Sequence, residues 1–200
     1  SIKCKVNVMS ELLSDPFLNA SPVLVANGLT SGILIETATG NRAIDSLKLG
    51  DLIETLDDGL QPLRSISRQT MLGKSGTAPI RISIGVVGNE KPLLLAPQHR
   101  VLISGWQAEL YFGQDEVLVE ARSLVNGTTV TCEDVTHIEY ICLGFDEHQI
   151  IFAHDAQVES DLPHQALSLQ HAIGPRGVVM PGQLLARPAV EGNQAQLLSL

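Results

Sequence analysis

Aromatic side chains make up 4% of this 200-residue sequence, with one Trp, two Tyr and four Phe. Base-stacking platforms and aromatic sugar grooves are built from such rings, so neither has much material here. Basic residues are also few, 13 Lys and Arg against 22 Asp and Glu, for a formal charge of −9. They are scattered singly and form no strip that would release counterions from a phosphate backbone, so nucleic acid is not an expected partner. Cys4, Cys132 and Cys142 cannot pair completely, and with no CxxC neither a disulfide framework nor a structural zinc site is legible. His137, His154, His164 and His171 show no HxH or HExxH pattern, so neither a metal nor a cofactor is expected. No window approaches the roughly 18 consecutive apolar residues of a membrane-spanning helix. Charged and polar residues in SIKCKVNVMSELLSDPFLNA interrupt what would be a signal peptide's apolar stretch. A soluble chain with no membrane partner is the expectation, and its compartment stays open.

The sequence is better supplied with apolar surface, 44% of residues, enough for a real core. From Ile33 to Leu143 it comes in short runs of Ile, Leu, Val and Thr, broken at roughly eight- to twelve-residue spacing by Gly, Pro, Asn or Asp, the rhythm of an all-β domain. ILIET (33–37) and DLIETL (51–56) read as strands, and Asp57-Asp58-Gly59 suits a tight hairpin before QPLRSISRQT. PIRISIGVV, KPLLLAP and HRVLISGW come next as strands, with the turn Ala96-Pro97-Gln98-His99 presenting its histidine at a strand end. EVLVEARSLV (116–125) carries helix formers at helical spacing and is closed by Asn126-Gly127, which predicts one short helix. Asp146-Glu147 is the expected turn between strands 138–144 and 149–153. After Ser160 the pattern changes: HQALSLQHAI has helical character, and Gly174-Pro175, Gly177 and Pro181-Gly182 break up the stretch beyond it. The expected organisation is a lead-in over 1–27, a β domain over 28–160 and an appendage over 161–200.

Several phrases acquire meaning together: SGILIETATGNRAIDSLKLGDLIETLDDGLQPLR, LLLAPQHRVLISGW, VEARSLVNG and IEYICLGFDEHQIIFAHDAQVES. They resemble a bacterial Hint domain, of the family that shares its fold with hedgehog C-terminal regions and inteins. The family pattern opens with a cysteine, then a glycine, a strand and a Gly-Asp turn; here Gly32, Ile33–Thr37 and Gly50-Asp51 match the last three. Asp57–Arg64 matches its hairpin, Ala96–Leu102 its SPQHRVL, Ala121–Gly127 its AxxLVNG, and Phe145–Ser160 its closing segment. ARPAVEGNQAQLL (186–198) is also similar to tails of this branch. The resemblance implies a compact, pseudo-two-fold all-β fold with one or two short helices. It also implies autoprocessing, in which the first cysteine attacks the preceding carbonyl and takes the acyl group onto sulfur. Relatives of the branch are often joined to secreted calcium-binding repeats, but no Gly-Gly-x-Gly-x-Asp repeat occurs in this sequence.

That acyl shift needs a thiol or hydroxyl on the residue after the scissile carbonyl, since only this side chain closes a five-membered ring on it. Counting back from Gly32 puts the position at Gly28, which has no side-chain atom to attack with. Thr30 and Ser31 carry hydroxyls nearby but would close larger rings. The resemblance gives His99 the role of activating the scissile amide, while Ala96 replaces the Thr or Ser that would assist it. Asp146 and His148, two residues apart, are a candidate acid–base pair if they share a hydrogen bond; the alternative is two polar residues solvating a turn. Cys142, between Ile141 and Leu143, reads as a small buried hydrophobe. Asn27-Gly28 is open to succinimide formation, because glycine leaves its nitrogen unhindered. Splicing is set aside: the stretch that would hold a closing His-Asn reads Val158-Glu159-Ser160.

The sequence thus points to a Hint-fold protein whose autoprocessing is lost or impaired and whose partner is its own polypeptide. The alternative is a non-catalytic module that binds another protein. A hydrolase acting on separate substrates lacks a GxSxG and any Ser/His/Asp grouping.

Overall fold

The computed structural model describes residues 26–162 and 185–190. Its first strands are β1 (Leu29–Thr30), β2 (Leu34–Thr37), β3 (Gly40–Ala43), β4 (Leu52–Thr55), β5 (Gly59–Pro62) and β6 (Ser65–Gly73). Then come β7 (Ile80–Ile82), β8 (Leu93–Leu95), β9 (Arg100–Ser104), helix α1 (Trp106–Phe112), β10 (Glu116–Glu120) and β11 (Val130–Cys132). β12 (Val135–Gly144), β13 (Ile150–Ala153), β14 (Ala156–Glu159) and β15 (Ala189–Val190) complete the described elements. The all-β expectation is met.

Two sheets organise these strands. One runs β11-β7-β8-β1-β12-β6; the other runs β15-β10-β9-β14-β13-β2-β4-β5, with β3 beside β2. One apolar cluster draws on both, taking Leu29, Leu95 and Ile141 from the first and Ile35, Val101 and Ile151 from the second. Each such fully buried side chain contributes roughly 1.5–3 kcal/mol of transfer free energy. The Asp57-Asp58-Gly59 turn joins β4 to β5 as the sequence indicates, with Thr55 opposite Gly59.

One local expectation needs correction, the position of the short helix. Residues 116–125 are not a helix: β10 takes 116–120, and a 3-10 turn takes Ala121–Leu124. Val117, Leu118 and Val119 are all fully buried between β9 and β15, and a short apolar run covered on both faces loses the alternation that distinguishes strand from helix. The described α-helix lies instead at 106–112, started after Gly105 and stopped by Gly113 in the left-handed conformation (φ 64°). The turn at Asp146-Glu147 is present as expected, and it carries the chain from β12 in one sheet to β13 in the other. The helical reading of 164–173 lies outside the described residues.

The placement of two-residue β1 sets the geometry of the candidate site. It lies antiparallel between β8 and β12, with Leu29 opposite both Leu95 and Ile141. The chain just before Leu29 therefore runs beside the residues just after Leu95 and just after Ile141. That register brings 26–28 against Ala96–His99 on one side and Cys142 on the other.

Candidate active site

Backbone contacts hold the Asn27–Gly28 peptide at this junction. Ala96 N donates to Gly28 O at 2.9 Å, and Gln98 N donates to Ala26 O at 3.3 Å. The turn beginning at Ala96 is closed by His99 N donating to Ala96 O at 3.1 Å, which fixes where the imidazole begins.

Asn27 Oδ1 accepts the Gly28 N–H at 2.9 Å and lies 2.8 Å from His99 Nδ1. An oxygen offers no proton, so Nδ1 carries the hydrogen and donates it, leaving Nε2 bare. Nε2 is buried and has no hydrogen-bond partner among the described residues. Burial drives the His99 pKa down to about 4, the nearby Glu159 only partly opposing it, so the ring is neutral at pH 7.

Cys142 lies on the other side of the peptide. Its thiol donates to Asn27 O at 3.4 Å, and burial pushes its pKa up to about 12. The expectation of a packed hydrophobe needs revising, since Ile141 and Leu143 are buried in the core while alternation turns half-buried Cys142 to the opposite face.

Gly28 itself has φ +118°, a conformation that side chains rarely adopt. A Cβ built there would stand 2.9 Å from Ile141 O and 3.0 Å from Cys142 Sγ. The two hydroxyls nearest in sequence are engaged elsewhere: Thr30 Oγ1 donates to Leu94 O at 3.0 Å and Ser31 Oγ to Asp45 Oδ1 at 2.8 Å.

The candidate pair Asp146 and His148 does not form. Exposed Asp146 takes Arg64 Nε at 2.9 Å, whereas His148 is buried with Nε2 3.4 Å from Glu159 Oε2. His148 Nδ1 accepts the backbone N–H of Ala186 at 3.0 Å, which places the ring proton on Nε2, toward Glu159. Glu159 also takes Arg100 N at 2.9 Å and Arg100 Nη1 at 3.1 Å. Burial raises its pKa, but the His148 hydrogen bond and the Arg100 charge outweigh this and hold the carboxyl below the usual carboxylate range. The fold links Gly28 and His99 through Asn27, which the sequence marks only for succinimide formation, and it joins His148 to Glu159, which sequence reasoning does not single out as a partner.

A sheet-bound peptide flanked by a turn histidine and a thiol is an arrangement suited to acyl transfer. The family model described as "Hint domain" matches residues 27–165, beginning at the first residue of this peptide. The chain belongs to the Hint domain family, and its fold is the all-β Hint fold. Solved structures similar to it include the bacterial intein-like domain from Clostridium thermocellum, at 14% identity over 68% of this chain and 99% of that one, with a TM-score of 0.47. A DnaB intein from Synechocystis sp. is similar at 13% identity over 68% of this chain and 100% of that one, with a TM-score of 0.43. No curated protein matches.

Proposed function

We propose that this chain is a self-processing Hint domain in which the route through the residue after the junction has been lost, with Asn27–Gly28 as the junction. One observation carries the reading: the residue beside His99 that must supply the nucleophile is Gly28, whose Cβ position is already closed off by Ile141 O at 2.9 Å. His99 keeps an orienting bond to Asn27, so the amide is still held in place while the atom that would attack from within residue 28 is missing. Neither nearby hydroxyl substitutes, since both are committed to other acceptors.

The test is intact mass over several days at neutral pH, without added thiol, on the chain with its residues 1–27. A single unchanged mass is expected; a fragment beginning at Gly28 overturns the reading.

A binding-module reading draws on a different observation. Residues 185–190 add a strand to the open edge of β10, where β15 pairs in parallel with Leu118 and Val119. Arg187 forks onto Asp57 at 2.7 and 2.9 Å and also reaches Glu116. An acidic pair beside an open strand edge is a receptor for an extended, arginine-bearing segment, and here the chain's own segment fills it.

A further inference from the structure

We propose that residues 185–190 are a proton-released strap: neutral His148 latches the segment onto the edge of β10, and proton uptake by the ring lets it go. Two features support this, and neither depends on whether Asn27–Gly28 is ever cut. The first is that both nitrogens of the buried ring are committed. His148 Nδ1 accepts the Ala186 N–H at 3.0 Å, and Nε2 lies 3.4 Å from Glu159 Oε2. A backbone N–H can only donate, so the strap contact exists only while Nδ1 keeps its lone pair. A proton on Nδ1 sets donor against donor and leaves the Ala186 N–H facing a cation. The Nε2–H bond to Glu159 survives that change, so the imidazolium stays seated and the strap contact is the one lost.

The second feature is how little else holds the strap. Its ladder with β10 spans two residue pairs in the parallel arrangement, Leu118 with Ala189 and Val119 with Val190. Leu118 N donates to Pro188 O at 2.8 Å. Val190 is the one buried residue of 185–190. Arg187 reaches Asp57 and Glu116, but these ion pairs are partly exposed and therefore weakened by water and salt. Losing the Ala186 contact is thus a large fraction of what keeps the segment down.

Charges around the ring come from every neighbouring element. Glu159 on β14 favours the imidazolium, and Arg100 on β9, bonded to the same carboxylate, offsets it. His99 at the start of β9 is neutral. Arg187 on the strap adds positive charge next to Ala186, balanced by Glu116 on β10 and Asp57 in the β4–β5 turn. Asp58 of that turn takes Gln149 Nε2 at 2.9 Å. In the ring's own turn stand Glu147 and Asp146, the latter paired with Arg64. Once the strap leaves, the Leu118 N–H and the carboxylates of Asp57 and Glu116 lose their partners, and an edge of the sheet is opened.

The experiment measures amide exchange by NMR on the full chain at pH 7.5 and 5.0, as protection factors, in the parent and in His148→Gln. The glutamine amide can accept from Ala186 and donate to Glu159 but does not titrate. Both chains carry His99, so acid destabilisation through that ring is common to them. Between the two pH values the Leu118 amide of the parent should lose roughly ten- to hundredfold more protection than that of His148→Gln, the scale of one hydrogen bond to a buried group. The ring nitrogen signals of His148 in the parent should titrate together with this loss. Equal pH dependence in the two chains overturns the proposal. Should His148→Gln fail to fold or to hold the strap at pH 7.5, the parent decides alone: a His148 ring that protonates while Leu118 stays protected, or protection at Leu118 that is unchanged down to pH 5.0, overturns it.

Discussion

Acidification should destabilise this domain through His99 in a way that can be isolated. The ring is 3% exposed, donates Nδ1–H to Asn27 and has its pKa lowered from 6.5 to about 4. The unfolded chain therefore takes up a proton at a higher pH than the folded one. The stabilisation is complete above about pH 6.5, declines as pH falls and is gone near pH 4, because the unfolded state binds more protons throughout that window. The slope approaches about 1.4 kcal/mol per pH unit, which integrates to roughly 2 kcal/mol between pH 7 and pH 5. His99→Gln keeps an N–H donor and cannot titrate. Urea unfolding of both proteins at pH 7, 6 and 5 gives the difference directly, since carboxylates common to both largely cancel. The parent should lose about 2 kcal/mol more than the variant over this range. Parallel pH profiles would refute the buried neutral imidazole.

Gly28→Ala meets an unfavourable φ and contacts of 3.0 Å or less. It should cost roughly 2–4 kcal/mol from strain and overpacking, read as a melting temperature lower by about 5–15 °C. Glu159→Ala leaves Arg100 and His148 without their acceptor, and a loss of about 3 kcal/mol is expected. Asp146→Asn touches only an exposed ion pair and should change stability by less than about 0.5 kcal/mol; equal losses in urea titrations would contradict the assignment of Glu159 rather than Asp146 to the buried network. Arg187→Ala should loosen β15 and speed hydrogen exchange at the Leu118 amide, which donates to Pro188 O, with the rest of β10 little changed. Unaltered exchange at Leu118 would show that Arg187 does not hold the segment.

The parts of the fold that are legible in the sequence have local causes. The Asp57–Gly59 hairpin and the turn presenting His99 come from residue types that fix the backbone over a few positions. β10 reads as a helix because Val117, Leu118 and Val119 are covered on both faces, and a strand buried in this way has the same apolar run as a helix. α1 leaves little periodic signal because only seven residues separate Gly105 from Gly113. Within the site, Gly28 and His99 show themselves as absence and presence at motif positions, but sequence proximity alone points to Asp146 as the partner of His148. The actual partner, Glu159, lies 11 residues away and meets it across the β13–β14 pairing. The contact of Cys142 with Asn27 is a matter of register between β1 and β12, 115 residues apart at that contact, and no local pattern encodes such a distance.

The most direct test of the account is the intact mass of the full chain held for several days at neutral pH without added thiol. The account predicts a single unchanged mass, because Gly28 supplies no side-chain nucleophile at the junction. A fragment whose first residue is Gly28 would contradict it.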